Sequence, residues 1–117
     1  MITGVHHFSV IASEEKSVQF YTKLGFTEYK RILRKYDTVV LMNGHGMGLE
    51  IFIDPNHPPR ATQPENIGLR HLALRVDKIE ATAEKLGLQI GPIMTDWAGI
   101  KFSFVADPDG LPIQLHE

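Results

Sequence analysis

Gly4-Val5-His6-His7-Phe8-Ser9-Val10 and Gly68-Leu69-Arg70-His71-Leu72-Ala73-Leu74 decide the fold of this chain, because they read as two copies of one strand. At the same offset of 64 residues, Gly48-Leu49-Glu50-Ile51-Phe52 lines up with Pro112-Ile113-Gln114-Leu115-His116. His7 is thereby matched with His71 and Glu50 with Gln114, with 43 positions separating the polar partners in each copy. Two copies of one supersecondary unit place equivalent residues at symmetry-related points. Four nitrogen and oxygen donors can then serve one metal site in a chain of only 117 residues.

Outward from these strands, each copy reads in the same order. Residues 4–12 have the β-branched and aromatic character of a strand. Ser13 is placed to cap a helix over 14–24, with Val18, Tyr21 and Leu24 at helical spacing and Gly25 as its stop. Strands are expected near 27–34, 37–43 and 47–53. The polar, proline-rich stretch from Asp54 to about Asn66 reads as a linker. The second copy has a strand at 69–76 and a helix to about Leu86, opened by an Asp77/Glu80 capping box and ended by Gly87. Strands near 88–94, 100–106 and 111–116 complete it, the last two joined by the turn Asp107-Pro108-Asp109-Gly110. The expected fold is α+β, one domain over 1–117. Its modules are about 1–56 and 68–117, joined by a linker at 57–67. The two βαβββ modules are expected to form a curved mixed sheet, a cup, with the helices on its outer face.

Strand alternation assigns the faces. His7, Ser9 and Ile11 share one face and Phe8 and Val10 the other; His71, Ala73 and Arg75 oppose Leu72, Leu74 and Val76. Glu50 lies between Leu49 and Ile51, and Gln114 between Ile113 and Leu115. The apolar neighbours face a core under the helices, so the four polar residues project from the opposite face beside the small residues Ser9, Ala73 and Gly48. Singly, a strand histidine or an exposed glutamate is an ordinary surface residue. Duplication alone explains the conserved register, but not why its inward positions hold His, Glu, His and Gln. The register also survives local change: His7 to Leu24 is 17 residues and His71 to Leu86 is 15.

Parity separates His7 from His6, which matches Arg70 and is expected toward the other face or a strand edge. His116 shares a face with Gln114 and is a reserve ligand; His45 and His57 read as solvent-exposed loop residues. Two imidazoles, one carboxylate and one amide oxygen suit one divalent ion, Zn, Ni, Co, Mn or Fe. With one charged ligand the site keeps a net charge of about +1, which favours an anionic oxygen or a chelating pair of neighbouring oxygens.

Composition limits the alternatives. The chain has 43% hydrophobic and 22% charged residues and a formal charge of −2, so it lacks a basic footprint for nucleic acid. It contains no cysteine, which excludes thiol nucleophiles, thiolate metal sites and disulfides and suits a reducing cytoplasm. No apolar run has the length needed to span a bilayer, and the opening residues lack the pattern of a secretory signal. The expectation is a cytoplasmic protein with a small-molecule substrate and neither a nucleic-acid nor a membrane partner.

The chain resembles the vicinal oxygen chelate superfamily, which groups glyoxalase I, bleomycin-resistance proteins, epimerases and extradiol dioxygenases. The resemblance is carried by His6-His7 followed by Ser17-Val18-Gln19-Phe20-Tyr21-Thr22-Lys23-Leu24-Gly25-Phe26, by 68–77, and by Asp107-Pro108-Asp109-Gly110-Leu111-Pro112-Ile113-Gln114-Leu115. It is strongest for the small bacterial glyoxalase I-like branch and implies metal ligands His7, Glu50, His71 and Gln114. Gln114 departs from the glutamate usual in bacterial glyoxalases; an amide can ligate but cannot act as a base, so Glu50 is the expected catalytic base. The implied reaction is a glyoxalase I-type lyase or isomerase reaction on a 2-oxoaldehyde–thiol hemithioacetal. The alternatives are a metal-dependent epimerase or other small-substrate enzyme, and a non-catalytic binding protein of the bleomycin-resistance type. Arg34, Tyr36, Arg75, Trp97 and Lys101 are candidate substrate-binding residues, and the resemblance implies a homodimer.

Overall fold

The computed structural model describes residues 1–117, which divide into two compact units, Met1–Pro58 and Pro59–Glu117. The first unit runs β1 (His7–Ala12), α1 (Lys16–Lys23), β2 (Thr27–Leu33), β3 (Thr38–Gly44) and β4 (Met47–Ile53). The second runs β5 (Leu72–Arg75), α2 (Ile79–Leu86), β6 (Met94–Thr95), β7 (Lys101–Ala106) and β8 (Pro112–His116). Each is a βαβββ unit with one four-stranded mixed sheet, ordered β1-β4-β3-β2 in the first and β5-β8-β7-β6 in the second. The opening strand pairs in parallel with the closing one, and the remaining neighbours are antiparallel. The parallel pair is possible because a helix and two strands supply the long crossover it needs.

The repeat survives as an identical register. Ser9 lies opposite Glu50 in the first unit and Ala73 opposite Gln114 in the second. Burial follows the alternation: Val10, Leu49, Ile51, Ile113 and Leu115 are buried, whereas His7 and Ser9 are exposed and Glu50 and Gln114 half-buried. Val18, Tyr21 and Leu24 of the first helical segment are buried. Phe8 packs edge-on against Phe26, and Phe26 against Tyr21, so α1 covers the face opposite His7.

Both helices stop where glycine permits a left-handed residue, Gly25 at φ 99° and Gly87 at φ 66°. The N–H groups of Gly25 and Phe26 donate back to the Thr22 and Tyr21 carbonyls; those of Gly87 and Leu88 donate to the Glu84 and Ala83 carbonyls. His45, exposed in the β3–β4 turn as expected, also donates from Nε2 to the Leu24 carbonyl at 2.8 Å and packs on Phe26. It closes the end of α1.

The helix starts differ from expectation. α1 begins at Lys16 rather than residue 14: Glu15 holds the N-cap position, and the Ser17 and Val18 N–H groups donate in tight turns to the Glu14 and Glu15 carbonyls. The Asp77/Glu80 capping box does not form. Lys78 is extended at the N-cap, so the Asp77 carboxylate meets the Lys78 N–H instead, and Glu117 Oε2 accepts from the Ile79 N–H at 3.0 Å. The cap of α2 comes from 38 residues away in the chain.

Two strand boundaries also shift. β6 covers only Met94–Thr95 in place of 88–94. Pro92 cannot donate to a ladder, and Gly91 is held instead by its N–H to Phe104 and by the Ser103 hydroxyl to its carbonyl. β5 starts at Leu72, which leaves His71 one residue ahead of it. No helix is long and apolar enough to cross a membrane.

Candidate metal centre

In the first unit, β1 and β4 set His7 beside Glu50. Gly48 is the residue opposite His7, and a Cβ there would lie 2.9 Å from the His7 Cβ, so glycine makes room for the imidazole. The His7 ring reaches diagonally past Gly48 to Glu50, with Nε2 3.6 Å from Oε2. Ser9 and Leu41 flank Glu50 in register and leave the carboxylate half-buried. Two donors bound at about 2.1 Å to one ion stand roughly 3.0–3.4 Å apart. The pair therefore needs only a small adjustment to share a divalent cation, and the residues present fit one.

In the second unit, Gln114 lies between Ala73 and Phe104 in the sheet. His71 packs edge-on against the Phe104 ring at 5.2 Å, which puts its imidazole on the Gln114 face although it precedes the strand. Phe104 is a site neighbour that sequence reading missed; its alternation along β7 with the buried Ser103 and Val105 was the available signal. No group of three or more His, Asp or Glu side chains gathers at metal-binding distance.

His116 is spoken for. Its Nδ1 faces the Glu117 carbonyl and its Nε2 the Asp96 carboxylate, each at 2.9 Å, and a metal would have to displace one of them. Asp96 organises the β6–β7 loop: Oδ1 accepts from the Ala98 and Ile100 N–H groups. The Ile100 N–H foremost, then His116, hold the Asp96 carboxyl below the usual range. A carboxyl depressed in the fold contributes stability above its unfolded pKa, about 3.9. That contribution disappears as pH falls through the lower folded value. Wild type is accordingly expected to melt above Asp96→Asn at pH 7, with the gap narrowing as pH falls below the ordinary aspartate value of about 3.9; melting curves of both proteins from pH 7 into the acid range check it.

The other candidate residues occupy varied settings. Arg34 is bonded through Nε and an Nη to both Asp37 oxygens and lies over the Phe52 ring at 5.3 Å. Phe52 follows Glu50 by two positions on β4, so Arg34 borders the Glu50 face with its charge already paired. Tyr36 is exposed beside Lys35. Arg75 is exposed opposite His116. Trp97 stands fully exposed at the loop that Asp96 orders. Lys101 shares the parity of buried Ser103 and Val105 and pairs with Glu80 of α2 at 3.9 Å, on the helix side of its sheet and away from Gln114.

The family model described as Glyoxalase/Bleomycin resistance protein/Dioxygenase superfamily matches residues 4–115. The chain is 38% identical to the Bacillus subtilis protein YwkD, over all of this chain and 98% of that one. It is 37% identical to the Escherichia coli protein YaeR, over 97% and 95%. A solved glyoxalase family protein from Enterococcus faecalis superposes with TM-score 0.89 at 37% identity, covering 97% of each chain. Two more distant structures share the fold. The E126Q mutant of the fosfomycin resistance protein FosX from Listeria monocytogenes, complexed with Mn(II) and 1S,2S-dihydroxypropylphosphonic acid, superposes at TM-score 0.72 and 17% identity, over 99% and 93%. The trypanothione-dependent glyoxalase I of Leishmania major superposes at 0.73 and 21%, over 99% and 87%. The paired βαβββ units, their common register and these matches together establish that the chain belongs to the glyoxalase/bleomycin resistance protein/dioxygenase superfamily.

Proposed function

We propose that this protein is a metal-dependent glyoxalase I-type lyase acting on the hemithioacetal of a 2-oxoaldehyde and a low-molecular-weight thiol. His7, Glu50, His71 and Gln114 form the donor set for one divalent ion, and Glu50 is the base. The approach of His7 Nε2 to Glu50 Oε2 at 3.6 Å on an open sheet face carries this reading. Mn(II) bound to FosX and the glyoxalase I of Leishmania, both on this fold, support a metal and this reaction class. When bound, the ion supplies Lewis-acid polarisation of two neighbouring substrate oxygens.

The chain's own groups carry the proton. The Glu50 carboxylate takes the hydrogen, as a proton, from the carbon bearing the hydroxyl and sulfur, and returns it to the adjacent carbonyl carbon. The hydroxyl proton passes between the two oxygens, so a 2-hydroxyacyl thioester forms by isomerisation with no oxidant or reductant. Gln114 is an amide and cannot share this work. Ser9 and Gly48, small residues beside Glu50 and His7, leave space over the pair.

Protein loaded in turn with Zn, Ni, Co, Mn and Fe is expected to convert methylglyoxal with glutathione or another small thiol, read as thioester absorbance. Gln114→Glu, which adds a second carboxylate, is expected to retain metal and turnover. Metal binding without turnover by either protein would sink the lyase reading. Turnover by the variant alone would place the natural substrate elsewhere in the superfamily.

A further inference from the structure

We infer that His6 is a positioning residue that fixes the tautomer and orientation of His7, an inference that rests on reading His7 as a metal donor. Adjacent strand residues normally point to opposite faces, and His6 is expected to face away from the site on that ground. Its backbone does join the ladder, the carbonyl accepting from the Gly48 N–H at 3.1 Å. Its side chain, just ahead of β1, turns back instead. The two rings meet edge to face, centroids 5.0 Å apart, with the two Nδ1 atoms at 2.7 Å.

Two ring nitrogens that close require one shared hydrogen, so one imidazole donates and the other accepts. The opposite side of His7 decides which. An Nε2–H facing a carboxylate draws in to about 2.7–2.9 Å, whereas His7 Nε2 stands 3.6 Å from Glu50 Oε2. The hydrogen of His7 is thus on Nδ1, donated to His6 Nδ1, and Nε2 presents its lone pair toward Glu50. His6 keeps its own hydrogen on Nε2. A histidine ligand whose second nitrogen donates to a fixed acceptor is held in the tautomer and ring orientation that ligation needs.

The second unit has no such acceptor. Arg70 occupies the equivalent place, its guanidinium cannot accept a hydrogen bond, and it is tied to Glu65. His71 is oriented by the Phe104 ring instead. The two copies, alike in register, therefore differ in how their histidines are held, and only the first is set by a polar neighbour.

The test uses full-length wild type, His6→Ala, His6→Gln and, as a control, Arg70→Ala. Zn(II) affinity is measured by competition with a chelator, and the His7 tautomer by nitrogen-15 NMR of metal-free protein near pH 8, where free imidazoles are neutral. His6→Ala is expected to weaken Zn(II) binding about 10–100-fold and to remove the Nδ1–H preference of His7. His6→Gln, whose amide oxygen can accept, should restore most of both, and Arg70→Ala should change affinity less than about twofold. Wild-type His7 protonated on Nε2, or His6→Ala binding Zn(II) within twofold of wild type, would overturn the inference. A His6-dependent tautomer in a protein that binds no Zn(II) upholds the positioning role while sinking the metal reading of His7.

Discussion

Replacing Glu50 with glutamine is expected to lower kcat by about a thousandfold while leaving the fold intact, the scale at which general acid–base catalysis acts. The substitution keeps the size of the side chain and an oxygen donor, but removes the only carboxylate of the proposed donor set, the group assigned to take the proton. Glu50 is half-buried between Ser9 and Leu41 and its one ion-pair partner is His7, at 3.6 Å. An isosteric amide there breaks no short hydrogen bond, so melting temperature should move little. Assays at saturating metal, with metal content measured on the same samples, separate lost base chemistry from lost metal. Activity within tenfold of wild type would show that the proton is moved by another group. Glutamate at position 50 is thus the most exacting test of the proposed reaction, because the matching position, Gln114, offers no second base.

Phe26→Ala is expected to destabilise the protein by about 3–5 kcal/mol, as complete truncation of a buried phenylalanine does. Phe26 is 2% exposed and joins three features of the first unit. Its ring packs edge-on against Phe8 of β1 and Tyr21 of α1, and supports His45, which caps the helix. It also abuts Gly44, where a Cβ would come within 2.6 Å of the ring. Because a domain of this size has only about 5–15 kcal/mol in total, the loss should appear as a fall in melting temperature of roughly 10–20 °C. Phe26→Leu should retain more than half of the lost stability. A shift of a few degrees in the alanine variant would mean that the cavity collapses onto Tyr21 and Phe8. Functionally, Phe26 holds α1 against the side of β1 opposite His7, so its loss should loosen the His7–Glu50 pair as well.

Much of this fold was legible in the chain because two local regularities carry it. Residues two apart on a strand share a face, and copies 64 apart share a register, so His7, Glu50, His71 and Gln114 could be assigned to sheet faces before any contact was known. Capping and short strands were less legible. Ser13 and Asp77 have the residue types of N-caps, yet Glu15 and Lys78 hold those positions, because the dihedrals of one linking residue move the helix start. β6 is shorter than the sequence suggests, because apolar residues continue through 88–93 while Pro92 cannot donate to the ladder.

The sequence by itself determined the two βαβββ units, their matched register and the sheet face shared by His7 with Glu50 and by His71 with Gln114, since spacing and alternation are properties of the chain alone. Only the tertiary structure decided what surrounds those donors. Glu117 reaches the start of α2, Asp96 takes His116 out of the ligand set, Phe104 seats His71, and His6 turns back to His7. Three of these contacts join residues 20 to 38 positions apart, and the fourth depends on which way one side chain turns. Neither kind is encoded in a local pattern, because each depends on how strands and loops pack once the sheets have formed.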